Sequence, residues 1–250
     1  MIMLTLLACL GPGRAFSVLP QRKFDGVGSV IYAGFGKKVV DGGSSGSSSN
    51  TSSLSRLCPC GADSKTPYSK CCGILHGSDM ITNDARTMVR ARFSAFATGN
   101  ADYLIDTTHY KHKDYARFRD SLDPEKSRKR WKKEIITQNT NLFEFLKLEL
   151  QDEPVVSEEV SNKLMAYKDA TSVTFNVLVR QKSDKGYISF QETSIFTPRN
   201  EDTEKNHVLG TGQNLFYCEA VVSALQKSDN ERLLQGVGYQ TSGSSIKDKW

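Results

Sequence analysis

Three familiar signatures of enzymatic chemistry are missing from these 250 residues: no Gly-rich phosphate loop, no nucleophile elbow and no HExxH zinc helix. Their absence argues against the common nucleotide-hydrolysing, α/β-hydrolase and zinc-protease classes. Long apolar runs are also lacking. The apolar start MIMLTLLACL is about half of what a bilayer-spanning helix needs, so no membrane span is expected in the mature chain. Hydrophobic residues make up only 38%, below the globular norm, which leaves material for one core plus appendages. Strong charge of one sign is absent too: 33 basic residues against 28 acidic ones give +5, enough for weak attraction to acidic surfaces and short of a dedicated nucleic-acid binder.

What is present is a cluster. Of six cysteines, Cys9 and Cys218 stand alone while Cys58, Cys60, Cys71 and Cys72 fall close together. A disulfide framework would spread its cysteines through the fold, and neighbours such as Cys71 and Cys72 cannot pair without backbone strain. Four soft thiolates in two close pairs favour zinc, and four protein ligands make a closed, structural site. Pro59 and Gly61 suit a tight turn around the first pair, Lys70 can offset negative charge, and His76 is an alternative to Cys72 as fourth ligand.

The residues ahead of the cluster are of another kind. Residues 1–15 have an apolar stretch, a Gly11-Pro12-Gly13 break and a small residue at Ala15, so they resemble a secretory signal, although no basic n-region precedes it. From Phe16 to Leu57 there are ten serines and five basic residues against two acids, Asp25 and Asp41, a composition that cannot bury a core. Residues 16–53 read as a transit or linker segment ending in GGSSGSSSNTSS. Signal plus transit stretch, with Phe16 directly after the cut, resembles the two-part plastid address of algae with complex plastids. Plastid localisation is the expectation, a secreted or cytoplasmic tail the alternative.

Beyond the cluster the periodicity changes twice. Residues 82–98 read as an amphipathic helix with Ala85, Met88, Val89, Phe93, Phe96 and Ala97 on one stripe, N-caps in Thr82, Asn83 and Asp84, and a stop at Gly99-Asn100. A short helix follows over 101–107, and a helical or irregular stretch over 115–137. Strand patterns then take over: 143–150, with Leu146, Leu148 and Leu150 alternating, then 172–180 and 187–196 joined by a turn at 182–186. Helices first and an antiparallel meander afterwards argue α+β. Residues 215–225 read as an added helix containing Cys218.

The segment CPCG followed by YSKCCG resembles the SEC-C motif, the zinc knuckle of the SecA translocase and of many other proteins; the intervening loop, Gly61 to Lys70, is slightly longer than usual. With Arg90-Ala91-Arg92-Phe93-Ser94-Ala95-Phe96, Asp102-Tyr103-Leu104, Thr108-His109, Glu192 to Phe196 and Leu209 to Gly212, the chain resembles the YchJ family. That resemblance implies a knuckle at 54–77 and, at 80–212, a cone-shaped nuclear transport factor 2-like (cystatin-like) domain with a bent antiparallel sheet, followed by an extension at 213–250. Family members often end in a second knuckle, and no second cysteine cluster follows here.

Candidates for chemistry are few. Counting by twos from Ile188 and Phe190 puts Glu192 on an apolar strand face with Ser194 and Phe196, where a buried carboxylate needs a partner such as Arg90 or Arg92. His109, at the exit of the second helix, is a candidate base at the pocket mouth. Trp131 within Arg128-Lys129-Arg130 and Lys132-Lys133 joins an aromatic to a basic run that can touch RNA or an acidic protein. The leading expectation is a zinc-containing interaction module whose knuckle meets an acidic protein or ribosomal surface. Its rivals are an enzyme or small-ligand binder using Glu192, His109 and Arg92, and an RNA-binding accessory protein.

Overall fold

The computed structural model describes residues 57–63, 65–77, 82–119, 123–198 and 214–235. The leader, the linker and the Leu209–Gly212 stretch lie outside the described residues. Within them the mixed helical and antiparallel architecture is α+β, as expected.

A three-residue turn at Tyr68–Lys70 leads into α1 (Cys72–Gly77), and α2 (Ala85–Thr98) is the axis on which the rest is built. Asp84 starts α2 by accepting from the backbone N–H groups of Arg86 and Thr87 at 3.2 and 2.9 Å. Gly99 ends it in the left-handed region (φ 75°), where a side chain would be strained and a Cβ would press on Thr140 at 3.3 Å. Three short helices follow, α3 (Ala101–Asp106), α4 (Lys113–Arg119) and α5 (Pro124–Ile135). The stretch expected at 115–137 is thus two helices, the second passing into a π-turn at Ile136–Thr140.

The sheet has the order β1 (Phe143–Leu150), β2 (Thr171–Gln181), β3 (Tyr187–Pro198) and β4 (Leu215–Ser223), all antiparallel. Helix α6 (Glu158–Met165), unforeseen in the sequence, fills the β1–β2 connection and is capped by Ser157 accepting from the Val160 N–H. Helix α7 (Lys227–Gln235) closes the described chain. No helix among the described residues is long and apolar enough to cross a membrane.

Two expectations fail at β-bulges. Phe145 pairs with Val179 and Lys147 with Leu178, so Leu146 is an extra residue; Phe143, Phe145, Leu148 and Leu150 face α2, and Leu146 turns to the opposite face. Residues 215–223, read as helix, form β4 instead. Phe196 pairs with Tyr217 and Ile195 with Glu219, leaving Cys218 as the bulge, so inward positions run Leu215, Tyr217, Ala220, Val222. A bulge inserts a three-residue step into a two-residue period, which mimics helical spacing. Ladder bonds to β3 decide the matter, and the sheet draws its fourth strand from beyond residue 212.

The other edge of β4 is stitched to the end of α3: Tyr217 N–H donates to Thr107 O at 2.9 Å and His109 N–H to Tyr217 O at 2.8 Å. That edge is therefore covered at its N-terminal end. One face of α2 packs on the sheet through Met88, Val89 and Phe93 against Phe175, Val177, Phe190 and Phe196. Its other face packs on the cysteines and α3–α5 through Ala91, Ala95 and Phe96. On the far side of the sheet Leu233 and Leu234 of α7 cover Leu178.

Candidate functional site: a four-cysteine cluster

Residues 57–72 make a small closed loop. Leu57 and Pro67 form a bridge, Cys58 N–H donates to Thr66 O at 3.0 Å, and the Asp63 carboxylate accepts from Lys65 N–H and Thr66 Oγ1 at 3.0 and 2.6 Å. The second cysteine pair is delivered by the Tyr68–Lys70 turn and the start of α1. Gly73 is required there, because a Cβ would sit 2.6 Å from Tyr68 O.

The four sulfurs of Cys58, Cys60, Cys71 and Cys72 lie within 4.8 Å of one another. Cys60 and Cys71 Sγ are 3.6 Å apart, and Cys71 and Cys72 Sγ are 3.9 Å apart. A tetrahedron with metal–sulfur bonds of about 2.3 Å has edges of about 3.8 Å, so the donor set fits one thiophilic ion of zinc's size. The thiols act on one another's protonation. A hydrogen bond from Cys72 pulls Cys60 down to about 5, while burial pushes Cys71 up to about 11. Such a set can hold a metal through all four positions, leaving none for substrate.

Helix α2 supplies the surroundings. Ser94 Oγ, fully buried, is 3.6 Å from Cys58 Sγ; Arg90 Nη1 donates to Cys60 O at 3.3 Å; Ala62 N–H points at Cys60 Sγ at 3.5 Å. Sequence reasoning missed Ser94, whose only signal was a small polar residue on an apolar stripe one turn after Arg90. It also assigned the neutralising charge to Lys70, which is exposed, whereas Arg90 reaches the loop. His76 is not a member of the cluster. Its Nε2 donates to Ala91 O at 2.9 Å, its Nδ1 accepts from Tyr68 OH at 2.6 Å, and its ring lies 4.3 Å from that of Tyr103. The imidazole locks the knuckle onto α2 and α3.

The second candidate lies on the other face of α2. Glu192 is buried where the strand count placed it, lining a cavity of about 20 Å³ with Arg92, Phe93, Phe96, Phe190 and Phe196. Ser194 Oγ donates to its Oε1 at 2.5 Å, and among the described residues Oε2 has no hydrogen-bond partner. Burial pushes Glu192 up to about 7. The expected Arg–Glu ion pair does not form. Arg90 belongs to the knuckle, and Arg92 Nη1 donates to Leu104 O and Thr107 Oγ1 at 3.0 and 2.7 Å, with its guanidinium 4.4 Å over the Tyr217 ring.

His109 does not line the cavity. It is buried with Nδ1 accepting from Lys111 N–H at 3.2 Å and its ring against Tyr110 and Tyr167. A buried His112–Asp114 pair, 3.6 Å apart, escaped notice in the sequence; burial drives His112 down to about 3 and Asp114 up. Trp131 is no surface platform: it stacks on Phe118 at 5.2 Å inside the helical core.

Residues 84–204 match the family model of the YchJ middle, NTF2-like domain. The match covers α2 through β3 and establishes an NTF2-like domain next to the cysteine cluster. Among similar proteins are UPF0225 proteins of Corynebacterium glutamicum (39% identical over 54 residues) and Streptomyces coelicolor (42% over 52). These alignments cover 22% and 21% of this chain, and the chain spans 42% and 40% of the length of those relatives. Two SEC-C motif containing proteins of known structure align over 68% of this chain. The one from Psychrobacter arcticus is 20% identical over 84% of its length with a TM-score of 0.39, and the one from Rhodopseudomonas palustris is 21% identical over 98% with a TM-score of 0.38.

Proposed function

We propose that the chain is a YchJ-like protein that holds one zinc ion in a closed structural knuckle and acts as an interaction module, with the NTF2-like domain as scaffold and an acidic protein or ribosomal surface as partner. The observation that carries the metal half is the sulfur geometry, 3.6 and 3.9 Å between neighbours against the roughly 3.8 Å a tetrahedral zinc thiolate site requires. Zinc is favoured over other ions because a closed thiolate site suits a soft-tolerant, redox-inert cation. Elemental analysis and thiol titration on the full chain and on Cys71→Ser test it. One zinc per chain, lost in the variant, is expected; metal-free protein with four reactive thiols would overturn it. If chelation leaves partner capture unchanged, the knuckle supports the fold and the partner surface lies elsewhere.

A second reading is favoured by the orphaned Glu192 Oε2: the cavity receives a small polar molecule. As it stands the space admits about one water, so a larger ligand requires the aromatic walls to part. Ligand binding unaffected by Glu192→Gln would dispose of this alternative. The plastid address is supported by composition alone, and a fluorescent fusion of residues 1–53 that stays outside plastids would remove it.

A further inference from the structure

Helix α5 has three kinds of surface. Ser127, Trp131 and Ile135 form its buried stripe. On one flank Arg128 reaches Asp102 and Asp106 of α3, and Lys132 also pairs with Asp102; on the other flank Glu134 pairs with Arg117 of α4. The acids of the neighbouring helices are thereby engaged on the two flanks. What remains is the outward arc of Lys126, Lys129, Arg130 and Lys133, all exposed. Among the described residues Lys129 pairs with Glu125 at 2.7 Å and the Asp123 carboxylate caps the Lys126 backbone N–H at 3.0 Å, while Arg130 and Lys133 have no carboxylate within ion-pair distance. On a helix these four positions fall within about 100° of arc, along a strip of about 10 Å.

We propose that this face binds the phosphate backbone of a nucleic acid strand, without reading base sequence. The proposal rests on the interaction-module half of the proposed function and is independent of the metal. Three of the four cations are lysines, compact point charges that bind phosphate without demanding one fixed geometry, which suits contact with a backbone irrespective of base sequence. The strip carries no apolar side chain, so it offers no anchor for a protein pocket and nothing to enter a bilayer. With Trp131 buried, no aromatic is left on it for base stacking, which removes a route to base preference. The stripe beneath is fixed by Trp131 on Phe118, so the cations sit on an ordered platform.

The test is fluorescence anisotropy of labelled 20-nucleotide single-stranded RNAs, one oligouridine and one of mixed sequence, with the full chain. Four phosphate contacts predict a log–log salt slope near −3, or about a 50-fold loss of affinity between 50 and 200 mM salt. The triple variant Lys126→Ala, Arg130→Ala, Lys133→Ala keeps good helix formers at exposed sites and is expected to bring the slope to about −1. Lys227→Ala, on α7, is the control and should leave it unchanged. Both RNAs should bind alike. Absent binding at 50 mM salt, an unaltered slope in the triple variant, or a marked base preference overturns the proposal. So does equal or tighter binding of a polyglutamate peptide or of phosphatidylserine vesicles, which would make the partner an acidic protein or a membrane. A chain without zinc that binds RNA, and a zinc-bearing chain that does not, separate this proposal from the metal reading.

Discussion

The two faces of α2 treat polar groups in opposite ways. Against the knuckle, Cys58, Cys60, Cys71 and Cys72 turn their donors towards one another around a shared centre, with Ser94 behind them. Against the sheet, Arg92 spends its hydrogen bonds on Leu104 O and Thr107, Glu192 keeps one oxygen unmatched, and the space between holds about one water. Four thiols whose contacts are mostly with one another make a donor set that fits one ion. Polar groups satisfied mostly by protein mark a specified core. The difference makes the knuckle the stronger functional candidate, although the sheet side holds the more unusual carboxyl.

The sharpest way to break the comparison is to remove the centre. Structural zinc contributes on the order of 10 kcal/mol in small knuckles, so Cys71→Ser or chelation should give the largest loss of thermal stability and the earliest proteolysis near residue 65. Equal melting of apo and metal-loaded protein would deny the knuckle any structural role. Next is pH. Glu192 sits at about 7 folded against 4.5 when free, so the folded state holds the extra proton; stability is full below pH 4.5, falls as pH rises to 7, and is level beyond. The fall amounts to about 3 kcal/mol. Melting curves for Glu192→Gln should lack it, and an identical pH profile in the variant would show the carboxyl to be solvated.

Smaller effects sharpen the same contrast. Ser94→Ala should keep one metal per chain while lowering affinity by about 10- to 100-fold in chelator competition, since outer-sphere partners tune thiolate sites to that extent. Unchanged affinity would make Ser94 a packing residue only. Smallest is Asp84→Ala, which removes the α2 cap and should cost about 1 kcal/mol in denaturant unfolding. Because α2 is common to both faces, that loss should appear at the same denaturant midpoint whether followed by thiol exposure or by Trp131 fluorescence. Separate midpoints would mean that the cysteine loop and the helical core around Trp131 unfold as independent units.

Legibility in the sequence followed locality. The cysteine pairs, the α2 caps, the β2–β3 hairpin and the inward phase of Glu192 each depend on residues close in the chain, and each was readable. The β4 strand was not, because a bulge at Cys218 disguises its period and its hydrogen bonds come from β3. The partners of Arg90 and Arg92 were misread because two residues on a helix diverge by about 200°, which sends one to Cys60 and the other to Thr107. Trp131 was read as a surface aromatic because its neighbours are charged; the stripe Ser127, Trp131, Ile135 puts it inside.

The sequence by itself determined the four-cysteine cluster, the α2 helix, the first three strands and the α+β class, since short-range spacing and periodicity carry that information. Only the tertiary structure decided that Ser94 backs the cysteines, that Glu192 lacks its ion pair, that His109 and His76 serve as packed hydrogen-bonding groups, and that one exposed face of α5 gathers four cations. Those outcomes depend on which distant groups arrive first at each donor and acceptor, and on how much room packing leaves between them.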